Sequence, residues 1–283
     1  MRYSDNVEGG TSYLLSQVTD GLCPEFHEFS HGFSQAWTAS CAGSTFAEFG
    51  AVPPEMLDAI MSLRHKCGGW SYNQKVSPDA DTTLRVLQFI SKIGFSNQAI
   101  ITAAQKFVIA HQQPDGGIAT YLPTMLTAMG YPTGGWTISH PCVTALAINI
   151  LPDCLARKKA WRYLTNRLVT GNAQAYWWRT PWYVRAEIGW IGNDYVRTDS
   201  VEISLALILK AKLKMTDRNL LARLLRLQLD DGSFPSSQMF RVPRPHQLLG
   251  DITEETKIMP DRRRVLSTAA ATVAISRQEA LSN

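Results

Sequence analysis

A short turn recurs along this chain and constrains its fold more than any other feature. Gln17-Val18-Thr19-Asp20-Gly21, Gln112-Gln113-Pro114-Asp115-Gly116 and Gln228-Leu229-Asp230-Asp231-Gly232 all read Q-x-x-D-G. Two weaker copies lie between them: Cys67-Gly68-Gly69-Trp70, and Gly171 running into Tyr176-Trp177-Trp178. The turn glycines fall at 21, 68, 116, 171 and 232, a period of roughly fifty residues in the range of repeat architectures. In such a turn Gln and Asp can bond the amides and carbonyls that helix ends expose. Glycine accepts the positive φ of a C-cap. The aromatic that follows (Trp70, Trp177, Phe234) is expected to pack back on the preceding helix. The motif therefore reads as a staple between repeats, not as a catalyst.

Helical periodicity flanks each turn. Upstream segments 54–64, 97–111, 154–169 and 217–227 carry apolar residues at i, i+3, i+4 and i+7 and keep a polar face. Downstream segments 34–46, 81–93, 139–151 and 266–275 are nearly apolar all round, as helices buried on both sides are. Two concentric rings of helices satisfy both patterns, and no convincing period-2 run suggests strands. Residues 1–283 thus read as a single all-α domain, an (α/α) toroid of about five to six helical hairpins. The count stays open because two helical stretches follow one turn between Pro181 and Lys214.

Composition narrows the function classes. The chain is 45% hydrophobic and 18% charged, with a net charge of +4, and its basic residues are scattered rather than striped. That excludes a nucleic-acid footprint but suits a small anionic ligand. Five cysteines without a CxxC pair point to free thiols in a reducing compartment and to no structural zinc. The N-terminus has no apolar signal-peptide core, and no apolar run is long enough to span a bilayer, so a cytoplasmic location is expected.

The segment Gly68-Gly69-Trp70 leads into Ser77-Pro78-Asp79-Ala80-Asp81-Thr82-Thr83, where an inner helix should begin. One acid there would be an ordinary cap favoured by the helix dipole. A second acid two residues on, opening a helix aimed at the ring's centre, suggests more. Two carboxylates close together in a low-dielectric cavity cannot both ionise cheaply, so one keeps its proton at neutral pH. Facing an apolar cavity, that proton can attack an alkene or an epoxide.

Gly-Gly-Trp, S-P-D-A-D-T-T and the Q-x-x-D-G turns together resemble the squalene–hopene and class II terpene cyclase superfamily. The family's signature acid is D-x-D-D, whose middle Asp donates the proton. The resemblance places Asp81 as donor and Asp79 as its partner, with Thr82 where the last Asp would stand. Some bacterial drimane-forming cyclases carry the same D-x-D-T-T variant. The implied reaction is proton-initiated cyclisation of a linear isoprenoid, needing no cofactor for the protonation. Mg²⁺ enters only if the substrate is a diphosphate.

Aromatic residues meet the second requirement of that chemistry, since ring faces stabilise carbocations by roughly 0.5–2 kcal/mol each. The candidates are Trp70, Tyr72, Tyr121, Trp136, Trp177, Trp178, Trp182 and Tyr183. His140, opening another inner helix, could orient or recharge the Asp81 proton. Candidates for a diphosphate are Lys75, Arg179, Arg185, Arg241 and Arg244. Two alternatives share the fold. One is a non-catalytic toroid that shelters a prenyl chain or scaffolds a partner enzyme. The other is a protein prenyltransferase β-like subunit, which needs a zinc set absent after Cys154, where no cysteine follows. Cyclases of the superfamily usually build their site between two domains, so a homodimer or second subunit is a further expectation.

Overall fold

Each turn hands the chain from an outer helix to an inner one. The computed structural model describes residues 3–28, 32–192, 196–253 and 256–282. Among these the outer helices are α1 (Tyr3–Ser16), α3 (Met56–Ser62), α5 (Gln98–Ala110), α8 (Leu155–Val169) and α11 (Arg218–Leu225). The inner helices are α2 (Ala36–Glu48), α4 (Ala80–Lys92), α7 (Pro141–Ile150), α9 (Trp182–Ile188), α10 (Ser200–Lys212) and α12 (Val265–Ala280). A short α6 (Pro123–Ala128) lies between α5 and α7.

The inner helices close a ring. Helix α2 packs on α4, α4 on α7, α7 on α9, α9 on α10, α10 on α12, and α12 back on α2. The outer helices α3, α5, α8 and α11 cover α2, α4, α7 and α10, while α1 covers α12. Burial follows the layers. Helix α7 is buried from Pro141 to Ile148, whereas α8 buries only Ala156, Ala160, Tyr163 and Leu164. In the ambiguous segment 181–214, α9 and α10 both join the inner ring after the single turn at Gly171.

The turns act as expected and also reach sideways. Gln112 Nε2 donates to Gly116 O within its own turn (2.9 Å) and to Ala156 O on α8 (2.7 Å). Gln228 Nε2 likewise reaches Gly232 O and Asn6 O on α1, both at 2.9 Å. Glycine is required at two of these turns by conformation and contact together. Gly116 has φ +95° and a Cβ there would lie 2.6 Å from Lys159 O; Gly232 has φ +83° and would meet Gly9 O at 2.4 Å. Trp70 packs back as expected, donating to Ile60 O of α3 (2.8 Å), and Phe234 joins the cluster of Leu220, Leu221 and Leu224 on α11. Trp177 does not; it turns inward.

Strands are the one departure in fold class. β1 (Glu25–Glu28) pairs antiparallel with β2 (Gly32–Ser34). Period 2 could not reveal this ladder because its strands are four and three residues long and a register shift interrupts them; a buried carboxylate anchors the first. Glu25 accepts from the backbone N–H of Phe26 and Arg263 (both 3.1 Å) and of Val265 (3.3 Å), tying β1 to the start of α12. Asp261 caps the same helix, accepting from Leu266 N–H (3.2 Å) and Ser267 N–H (2.6 Å). Burial, and then the hydrogen bond and negative charge of Glu25, push the Asp261 carboxyl well above the usual range. Among the described residues no helix is long and apolar enough to cross a membrane.

Candidate active site

The D-x-D-T-T segment divides its four functional side chains among distinct tasks. Asp79 is the N-cap of α4: Oδ1 accepts from Thr82 N–H and Oδ2 from the Thr82 hydroxyl, both at 2.7 Å. Thr83 faces the other way. Its hydroxyl donates to Asp79 O (2.7 Å) and accepts from Trp70 N–H (3.0 Å), fastening the preceding turn to the helix. Asp81, the second residue of α4, points into a cavity of about 120 Å³ at the N-terminal mouth of the inner ring. Its Oδ2 accepts from Trp37 Nε1–H at 3.0 Å. No hydrogen bond from the described residues occupies its Oδ1.

The acids are neutralised by their surroundings. Asp79 is 3% exposed, and burial pushes its carboxyl to about 7, helped by the charge of Asp81 and opposed by the Thr82 bonds. Burial likewise raises Asp81 to about 6, against the pull of the Arg85 guanidinium and the Trp37 N–H. Each carboxyl therefore keeps a proton for part of the time at neutral pH.

The rest of the cavity wall is almost wholly apolar. Tyr72, Tyr121, Trp136 and Trp177 line it together with Asp79, Asp81 and Thr82. Tyr121 stacks on Trp136 at 5.5 Å, and Trp136 meets Trp177 at 5.5 Å. The sequence reading missed Phe26, Trp37, Thr120, Tyr131 and Phe240, which line the cavity with Val76, Met129, Val242 and Met259. A signal for Trp37 did exist. It is the second residue of inner helix α2, as Asp81 is of α4, so both point to the same mouth.

Other candidates lie elsewhere. Trp70 is buried behind the turn, and Trp182 packs in a separate cluster with Ile203, Leu207 and Leu224. Trp178 and Tyr183 stack at 4.3 Å and face a second cavity on the far side of the ring. His140 does not meet the acids: its nitrogens pair with the Thr120 hydroxyl and Gly135 O, both at 2.7 Å. Arg241 is spent on the carbonyls of Ala175 and Tyr176 because it clamps that backbone from within. Arg179 and Arg185 line a separate cavity of about 210 Å³. Lys75 and Arg244 are exposed beside Val76 and Val242, which line the acid cavity. Among the described residues no three His, Cys, Asp or Glu side chains come together to hold a metal ion.

The far cavity measures about 750 Å³ and occupies the ring where α2, α4, α7 and α9 end. Three of its cations are paired: Arg85 with Glu187 (3.2 Å), and Lys92 (3.0 Å) and Arg277 (2.9 Å) with Glu48, while Lys212, which also lines it, donates to Glu187 O. A layer of Trp37, Arg85, Trp178 and Tyr183 divides it from the acid cavity. The Arg85 guanidinium lies 5.8 Å from the Trp37 ring and 5.3 Å from the Tyr183 ring, and it donates to the Tyr183 hydroxyl.

No family model matches the sequence. A drimenyl diphosphate synthase from Streptantibioticus cattleyicolor is 29% identical over 124 residues, which is 42% of this chain but 21% of the synthase. The chain thus matches about a fifth of that relative's length. Among solved structures, a protein from Actinoplanes superposes with a TM-score of 0.84 at 22% identity, covering 98% of this chain and 100% of its own. The type II terpene cyclase MstE from Scytonema, in a variant solved with its substrate geranylgeranyl dihydroxybenzoate, superposes with a TM-score of 0.78 at 20% identity. That match covers 99% of this chain and 98% of MstE. The toroid described here is the fold of the type II terpene cyclases.

Proposed function

We propose that the chain, acting over residues 1–283 as one domain, is a class II-type terpene cyclase. The observation that carries this reading is a buried carboxyl, Asp79, beside a half-buried one, Asp81, raised to about 7 and about 6 at the mouth of an aromatic cavity. Asp81 is the general acid: its O–H bond breaks as the terminal alkene's electron pair forms a C–H bond, leaving a tertiary carbocation and the Asp81 carboxylate. Asp79 and Thr82 hold the loop and helix start that aim it. The trailing alkenes close rings in turn, with the cation passing over Tyr121, Trp136 and Trp177, and water or proton loss ends the cascade.

The substrate is a linear isoprenoid, either a prenyl diphosphate or a related polyene. Lys75 and Arg244, exposed and close in sequence to the lining residues Val76 and Val242, are the cations that would meet its head, and a Mg²⁺ accompanying a diphosphate would be held by the phosphates.

Incubation of the purified chain with farnesyl and geranylgeranyl diphosphates and with geranylgeranylated arenes, followed by product analysis, tests the reading. Cyclic product from wild type and a loss of roughly 10²–10⁴-fold in Asp81→Asn is the expected result. Equal product from Asp81→Asn, or none from wild type with every substrate, overturns it.

A further inference from the structure

We propose that His140 is the positioning hub of the aromatic wall, setting Trp177 through Thr120 and Trp136 through Gly135. Hydrogen-bond logic fixes the direction of every link. Gly135 O can only accept, so His140 Nε2 carries the proton (2.7 Å). Nδ1 is then a bare lone pair, and the Thr120 hydroxyl must donate to it (2.7 Å). With its proton committed, Thr120 Oγ1 accepts from Trp177 Nε1–H, which can only donate (2.8 Å). The chain therefore runs Trp177 to Thr120 to His140 to Gly135 and has no alternative polarity.

The surroundings lock the hub. His140 is 0% exposed, and Tyr176 stacks on its ring at 4.0 Å and 12°. The Tyr176 hydroxyl donates to Gln247 O (2.7 Å), in the loop whose Pro243 O accepts from Trp136 Nε1–H (2.9 Å) and whose Pro245 O accepts from Trp136 N–H (3.1 Å). Trp136 O in turn accepts from Tyr121 N–H (3.1 Å). Burial pushes the imidazole down to about 3, so it stays neutral and the polarity holds across the physiological range. Two indoles and a phenol of the wall are thus referred to one buried imidazole that never touches the acids.

The consequence for chemistry rests on the cyclase reading. A ring face stabilises the cation it lies under, so a fixed tilt of Trp177 selects how far the cascade runs before the proton leaves.

Thr120→Val keeps the shape but removes the link, and Thr120→Ser keeps the link. In Thr120→Val the Trp177 indole N–H resonance, assigned by its loss in Trp177→Phe, is expected to move upfield. Turnover falls by roughly ten- to a hundredfold with KM nearly unchanged, and incompletely cyclised product accumulates. Thr120→Ser restores resonance, rate and product pattern. His140→Gln, which can still accept and donate, falls between the two. An unmoved indole resonance in folded Thr120→Val, or a moved resonance with an unchanged product pattern, overturns the proposal. If wild type yields no cyclic product the cyclase reading falls instead, and the resonance still decides whether the hub holds Trp177.

Discussion

The two cavities of the ring share a helix and little else. Helix α4 presents Asp81 to the small cavity and, one turn later, Arg85 to the large one. In the large cavity Arg85, Lys92 and Arg277 each have a carboxylate within about 3 Å, so their burial costs are offset locally. In the small cavity the acids receive only neutral N–H and O–H donors, so the proton itself supplies the neutrality. Volume is therefore a poor guide to chemistry in this fold. The reactive space is the smaller one, where no cation among the described residues bonds the carboxyls directly.

The sharpest way to break this contrast is to remove the residue that separates the sides. Arg85→Met removes the counter-charge of the partly buried Glu187 carboxylate, leaving it the Asn149 amide, and empties the dividing layer. It is expected to lower the unfolding free energy by roughly 3 kcal/mol or more in urea denaturation. A loss below about 1 kcal/mol would mean that the pair is not a buried one.

Next in size is Gly135→Ala on the acid side. Its Cβ would fall 1.6 Å from Gln247 O and 2.4 Å from the Tyr176 hydroxyl, so backbone must shift. We expect a destabilisation of roughly 1–3 kcal/mol, seen as a lower melting temperature, together with a changed product pattern.

The pH dependence sharpens the same comparison. Product formation should fall as pH rises through 6 and 7, because Asp81 and then Asp79 lose their protons. Both folded-state values lie above the ordinary carboxylate range. The fold therefore holds protons that the unfolded chain has already released, and the stability these groups lend is lost as pH climbs from about 4 through 7. Glu187→Gln should move the Asp81 limb of the rate profile to lower pH, since the Glu187 charge raises that carboxyl. A limb that stays in place would show that Glu187 does not act on Asp81.

The smallest effect belongs to the large cavity. Lys92→Met leaves Glu48 still paired with Arg277 at two nitrogens, so urea denaturation should register only about 0.5 kcal/mol. The pH–rate profile should be unchanged.

Much of the ring could be read from the chain because glycine turns and apolar helices are local signals. The acid pair was legible for the same reason: Asp79 and Asp81 sit in one stretch whose placement at a helix start is a capping pattern. What stayed hidden depends on pairings across the ring. Trp37 reaches Asp81 from another helix, and Arg85 meets Glu187 a hundred residues on. His140 looked like a neighbour of the acids because it also opens an inner helix, but its ring turns toward Thr120 and Gly135. One register did lie in the sequence unused. The fourth residues of α4, α7 and α12 are Thr83, Thr144 and Thr268, which accept from the N–H of Trp70, Ile118 and Phe234. The second threonine of D-x-D-T-T is thus part of the repeat, whereas the first belongs to the acid.

The outermost turn of the ring is closed by partners made far apart in time. Gln228 reaches Asn6 across 222 positions, Gly232 lies on Gly9, and α12 is flanked by α1 and α2. During synthesis α1 and α2 therefore emerge long before the helix that covers them. Their apolar faces wait on it, and the annulus gains its last neighbour only when α12 arrives. The acid cavity, whose rim strand β1 is tied to the start of α12, takes its final shape at that same late moment.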